Sequence, residues 1–228
     1  MLQARNAQNF RRKYSCYNSR EQTVQINIDK KTGILGTIIL VLVGVIIAMS
    51  AMSKDHNGFF GMGHSSMMGS HESRENGNLT GADIMFLQMM IPHHQQAVDI
   101  SNLALTKSKD AELLALATAI RDGQADEIVQ MKQWLKEAGA GLEMGHTMDG
   151  QMSGMLDEAE LAGLKSVTGS EFDRLWLLGM TGHHDGALHM TQMIEDATNS
   201  TIKKFGQDIV TLQTAQIEQM KVMLQRIK

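Results

Sequence analysis

Cysteine is almost missing from this chain: among 228 residues there is one, Cys16. That excludes an internal disulfide framework and any cysteine-built zinc or redox motif. Proline is as scarce, represented by Pro92 alone, and the aromatic residues are six Phe, two Trp and two Tyr. So few turn and strand formers, beside long runs of Ala, Leu, Met, Gln, Glu and Lys, read as an all-α protein. No Ser/His/Asp set, phosphate loop or thiol motif points to catalysis. Positive charge is lacking in the larger part of the chain, where residues 54–228 hold fourteen basic against twenty-three acidic residues. An acidic body disfavours nucleic acid as a partner and suits cations.

What is abundant is methionine, nineteen residues in all. There is also one uniformly apolar run, "GILGTIILVLVGVIIAMSAM" at 33–52, which is uncharged and of bilayer-spanning length. The residues before it carry Arg5, Arg11, Arg12, Lys13, Arg20, Lys30 and Lys31 against Glu21 and Asp29. The positive-inside rule therefore places 1–32 in the cytoplasm, makes 33–52 an inner-membrane anchor, and puts the rest of the chain in the periplasm or outside the cell. The rival reading is a cleaved signal peptide, with Ala48 and Ser50 small enough for the cleavage site, but the segment preceding the run is long for a signal. Either way the exported part has no cysteine.

Residues 53–79 are rich in Gly, Ser and Asn and read as a flexible tether, followed by helical sequence over 80–228. Thr80 with Asp83 forms a capping-box pattern at the start of a helix that runs to about Thr106. A second helix runs from near Asp110 to Gly139. After a glycine-rich linker at 139–155 come a short helix near 157–167, a third long helix over 171–196 capped by Ser170 with Asp173, and a fourth over 200–227. A shift of 90 residues carries Asp83, Leu87, Met90, His93, His94 and Ala97 onto Asp173, Leu177, Met180, His183, His184 and Ala187. A shift of 89 carries "QMK" at 130–132 onto "QMK" at 219–221. Two copies of one α-hairpin predict a four-helix bundle.

The helical period through the repeat gives two core stripes, Ala82, Phe86, Met90, His93, Ala97, Ile100 and Phe172, Trp176, Met180, His183, Ala187, Met190. His93 and His183 thus point inward, and His94 and His184 each lie one turn from Met90 and Met180. His189 stands four residues from both Asp185 and Met193, a spacing that lets the carboxylate orient the imidazole. A lone buried histidine is usually a hydrogen-bonded core residue, and methionine at helical spacing is usually filler. Met131 and Met220 fit that plainer reading. The His-His pair repeated in both copies, with methionine one turn before it, favours a metal. Imidazole and thioether together select copper as Cu(I), and Ag(I) by the same softness. Unlike thiolate, thioether needs no deprotonation and forms no disulfide in an oxidising space.

The candidate ligands are Met90, His93, His94, Met180, His183, His184, His189, Met190 and Met193, with Met89, Met131 and Met220 as weaker ones. Met62, His64, Met67, Met68 and His71 in the tether, and Met144, His146, Met148, Met152 and Met155 in the linker, sit where no amphipathic period explains them. They read as arms that capture and hand over copper.

Pro92 removes one helical hydrogen bond, and Gly182 holds the same place in the second copy. A local break before each histidine pair is therefore expected, bending Met and His toward one ion.

The segments "DIMFLQMMIPHHQQAVDIS" and "FDRLWLLGMTGHHDGALHM" resemble the two halves of the CopM-type family. These are exported, ferritin-like four-helix proteins long catalogued as a domain of unknown function. The resemblance covers about 80–228. It implies copper binding at Met90, His93, His94, Met180, His183, His184, and less directly His189, Met190 and Met193, with a role in copper resistance or trafficking and another copper carrier or exporter as partner. Two other readings stand beside it. A ferritin-like di-iron oxidase needs carboxylates on the core stripes, yet the only Glu-x-x-His here is Glu143–His146, inside the linker. A metal-free structural or sensory bundle needs no metal ligands at all.

Overall fold

The computed structural model describes Phe10, residues 79–143 and residues 153–227. The anchor segment 33–52, the tether with Met62, His64, Met67, Met68 and His71, and the linker residues Met144, His146, Met148 and Met152 lie outside the described residues. The described residues are all-α: α1 (Gly81–Lys107), α2 (Ala111–Glu137), a short α3 (Glu158–Ser166), α4 (Gly169–Thr191) with a 3₁₀ turn (Gln192–Ile194), and α5 (Ser200–Arg226). None of their helices is long and apolar enough to cross a membrane.

Side chains set most helix ends. Thr80 and Asp83 make the expected capping box, with the Thr80 amide donating to Asp83 Oδ2 at 2.8 Å and the Asp83 amide to Thr80 Oγ1 at 3.2 Å. Asp110 accepts from the Leu113 amide at 3.0 Å, and Asn199 from those of Thr201 and Ile202. Gly139, at φ 68°, closes α2. The second capping box does not form. The N-cap of α4 is Thr168, without a side-chain bond. Gly169 adopts φ 63° and turns the chain into the helix early, so Ser170 already lies in the first turn.

The expected breaks are absent as well. Helix α1 runs unbroken through Pro92, and α4 through Gly182. Gly186 and Gly154 serve a close approach nearby. The loop at Ser153–Gly154 lies directly on α4, where a Cβ on Gly186 would collide with the Ser153 carbonyl and one on Gly154 with the Gly182 carbonyl.

Helices α1 and α2 form one antiparallel hairpin and α4 and α5 the other. The hairpins join mainly through α1 and α4. His93 stands beside His183, and the Trp176 indole donates to the Ile100 carbonyl at 3.0 Å, so α1 and α4 run in opposite directions. At one end Arg226 of α5 holds Asp110 and Glu112 of α2. The apolar core is split in two. One cluster gathers Ile100, Leu116, Phe172, Trp176, Met180 and Met220, and the other Phe86, Met90, Ile128, Met131, Met190 and Phe205. Phe10 lies in the first cluster, beside Leu156 and Gly179. Of the two predicted stripes only Ala82 is exposed; all the other members are buried.

Candidate metal centre

Between the two apolar clusters lies a polar layer built on the repeated histidines. His93, His94, His183 and His184 are all fully buried. Their rings gather around a central pair. The His93 and His183 centroids are 3.8 Å apart at the centre, and His94 and His184 flank them at 6.4 and 6.2 Å. The near-equal outer spacings follow the duplication in the sequence.

Every ring uses Nε2 toward an oxygen. His93 faces the Ser153 carbonyl at 3.1 Å, His183 the His93 carbonyl at 3.0 Å, His94 the Glu127 carboxylate at 2.6 Å, and His184 the Gln216 amide oxygen at 2.7 Å. An oxygen acceptor opposite Nε2 places the proton there, which leaves Nδ1 as a lone pair in a neutral ring. All four Nδ1 atoms are buried and have no hydrogen-bond partner. Burial pushes the His93 imidazole down to about 3, helped by neighbouring His94, and His184 down to about 4. His183 is driven well below its ordinary value, first by burial and then by His93 and His184. His93, His183 and His184 stay neutral at physiological pH and present lone pairs to the interior.

Sequence spacing had placed the orienting carboxylate at Asp185. The structure puts Asp185 and His189 on the exposed side of α4, because His189 is five residues past His184 and so near the opposite face of the helix. Met193 lies on the 3₁₀ turn, not one α-turn below His189, and is half-buried. The oxygens that orient His94 and His184 come from α2 and α5. Both residues were missed, yet the same shift of 89 that aligns the "QMK" motifs also carries Glu127 onto Gln216.

Methionines flank the layer. Met90 and Met131 are buried in one cluster, and Met180 and Met220 in the other; Met220 Sδ accepts from the Thr181 hydroxyl at 3.7 Å. Met190 packs in the cluster of Met90, while Met89 is half-buried at its edge and Met155 is half-buried in the loop before Leu156. Among the described residues, no group of three or more His, Cys, Asp or Glu side chains is placed to hold one ion.

The described residues on either side of the linker's Met/His segment are held by α1 beside these histidines. Gln88 donates to the carbonyls of Gly141 and Glu143 at 2.8 and 3.2 Å, and Gln96 pairs with both backbone groups of Leu156 at 2.9 and 2.8 Å. Gln88 and Gln96 are about 12 Å apart along α1 and bracket His93 and His94.

Comparison with known proteins gives this arrangement a context. The family profile described as "Domain of unknown function (DUF305)" matches residues 83–224. Two DUF305 structures are similar. One, from Streptomyces coelicolor, has 30% identity over 64% of this chain and 91% of the other, with TM-score 0.60. The second, from Deinococcus radiodurans, has 30% identity over 66% of this chain and 99% of the other, with TM-score 0.61. CopM in its Cu(I)-bound form matches at 32% identity over 63% of this chain and 96% of CopM, with TM-score 0.53. Other CopM structures hold Cu(II) or Ag. Among curated proteins no significant match is found.

Proposed function

We propose that the chain, which belongs to the DUF305 family, is an extracytoplasmic copper-binding protein. Its four-helix bundle takes up Cu(I), and Ag(I) by the same chemistry, between the repeated histidines and the flanking methionines. One observation carries the reading: four buried imidazoles each engage an oxygen through Nε2 and keep an unpartnered Nδ1. A buried acceptor left unsatisfied costs about 1–3 kcal/mol. A soft Lewis acid at Nδ1 offsets that cost without needing a proton removed, and CopM with copper and silver bound supports the choice of ion. Because no three of the described His, Asp or Glu side chains converge on one point, a pair of imidazoles with neighbouring thioethers from Met90, Met131, Met180 or Met220 is the ligand set we assign. A di-iron oxidase is disfavoured, since Glu127 is the only described carboxylate that hydrogen-bonds one of these rings. The role is storage or transfer of copper in homeostasis. Linker residues Met144, His146, Met148 and Met152 act as an arm that captures copper and passes it to a carrier or exporter, a reading supported by the hold of α1 on Gly141, Glu143 and Leu156 at either side.

Two measurements test this. In a competition titration with a chromogenic Cu(I) chelator, replacing His93, His94, His183 and His184 together by Asn is expected to remove at least one tightly bound ion. Unchanged stoichiometry and affinity in a helical variant rejects the centre. On ¹⁵N-labelled protein, Ag(I) is expected to produce silver–nitrogen coupling at Nδ1 of at least two of these histidines; coupling at Nε2 contradicts the assigned tautomer.

For topology we propose the anchor at 33–52 with residues 1–32 in the cytoplasm, supported by the apolar run and its basic flank. Phe10 favours a second reading, because a residue packed in the helical core lies on the same side of a membrane as that core. The lone Cys16 decides between them. In intact cells it is expected to resist a membrane-impermeant maleimide, whereas rapid labelling places the N-terminal segment outside with the helices.

A further inference from the structure

Helices α2 and α5 enclose a narrow crevice lined in part by Ala119, Gly123, Gln124, Glu127, Gln213 and Gln216. Its inner wall is the histidine layer's own support, since Glu127 and Gln216 hold Nε2 of His94 and His184. Its sides carry two further amides. Gln124 and Gln213 are only 4% and 2% exposed, yet both amide atoms of Gln124 and Oε1 of Gln213 have no partner. Two such residues at a helix seam are costly as packing elements. They suit a polar path, along which a hydrated or partly dehydrated ion meets one amide oxygen after another.

The duplication makes the asymmetry of this crevice plain. A shift of 89 carries Gln124 onto Gln213 but Glu127 onto Gln216, and Gly123 onto Leu212. One side therefore has a carboxylate and an open wall where the other has an amide and a leucine. A Cβ on Gly123 would meet nothing within 4 Å. The Glu127 side chain keeps 22% of its surface exposed while its Oε2 holds His94. Among the described residues it is thus the one charged side chain that hydrogen-bonds a ring of the histidine layer while part of it meets water.

Resting on the copper reading above, we propose that this crevice is the route by which the cation reaches and leaves the histidine layer, and that Glu127 receives it from solvent. Carboxylate and amide oxygens are hard donors that hold Cu(I) weakly. They attract and pass the ion, and the softer imidazoles and thioethers retain it. A negative charge at the inner end of a low-dielectric cleft raises the local cation concentration and the rate of arrival.

Two substitutions test the route, each installing the residue that the other copy already carries. Gly123→Leu places a side chain in the open wall and removes no donor; Gly123→Ala is its control. Glu127→Gln keeps an acceptor for His94 and removes the charge. In stopped-flow loading of the full chain with Cu(I), Gly123→Leu is expected to slow uptake at least tenfold, with equilibrium affinity within threefold of the parent and Gly123→Ala unchanged. Glu127→Gln is expected to slow uptake several-fold and to flatten its salt dependence. A readout without metal runs in parallel: exchange of the His94 and His184 ring N–H protons with D₂O, followed by NMR, is expected to slow in Gly123→Leu. Unchanged loading and exchange in that variant overturns the route while leaving copper binding intact. If the parent chain binds no copper, the copper reading fails, and the exchange experiment still decides whether the crevice admits solvent to the histidines.

Discussion

Lowering the pH from 7 to 5 is expected to destabilise the metal-free protein by on the order of 5 kcal/mol, a large part of the whole stability of a typical domain. His93, His183 and His184 all have pKa values lowered in the fold, to about 3 for His93 and about 4 for His184. The unfolded chain, with ordinary values near 6.5, therefore takes up protons first as the pH drops. The contribution of these rings is complete above about 6.5 and is lost as the pH falls from there toward 3 or 4. Each ring that stays neutral across the interval from 7 to 5 accounts for about 2 kcal/mol. The cause is burial, and the stacked pair at 3.8 Å adds to it, because charge on one ring opposes charge on the other. Urea unfolding midpoints at pH 7, 6 and 5 measure the effect. A midpoint flat across that interval contradicts neutral burial of these rings. Copper at Nδ1 competes with the proton, so the loaded protein is expected to hold its midpoint to lower pH.

The second large effect is expected at Gly186. This glycine lies against the backbone of Ser153, and that segment's carbonyl is the acceptor for His93. Gly186→Ala forces two backbones apart, an overpacking penalty of about 3 kcal/mol if the loop stays docked. If the loop lifts instead, His93 loses its acceptor and its tautomer is no longer held. Thermal unfolding combined with protection of the His93 ring N–H separates the two outcomes. A lowered midpoint, lost protection or both is expected; neither change means that the close approach is dispensable. The carboxylate pair Asp185 and the imidazole of His189, which sequence spacing had joined, are expected to matter little beside it.

Particular residues mark how far the sequence could be read. The duplication, the four long helices, the Thr80 capping box and the inward-facing His93, His94, His183 and His184 were all legible. A repeat and a 3.6-residue period are local properties of the chain. The α-helix instead continues through Pro92 and Gly182, since only Pro92 removes a helical hydrogen bond and α1 is held by its neighbours on two sides. The end of α4 was misjudged because the change to a 3₁₀ turn at Gln192 follows from packing more than from propensity. His189 lies on the exposed side of α4, because nearness in sequence to His183 and His184 says little about the opposite helical face.

What the sequence determined by itself was the set of donors and which helix face carries them, because side-chain chemistry and helical period travel with the residues. Which oxygen each imidazole meets was decided only by tertiary structure. Glu127 and Gln216 lie more than thirty residues from their histidines, and Ser153 sixty from His93. Those partners depend on how α2, α5 and the returning loop pack against α1 and α4. It is that packing which directs Nε2 to an oxygen and leaves Nδ1 without a hydrogen-bond partner.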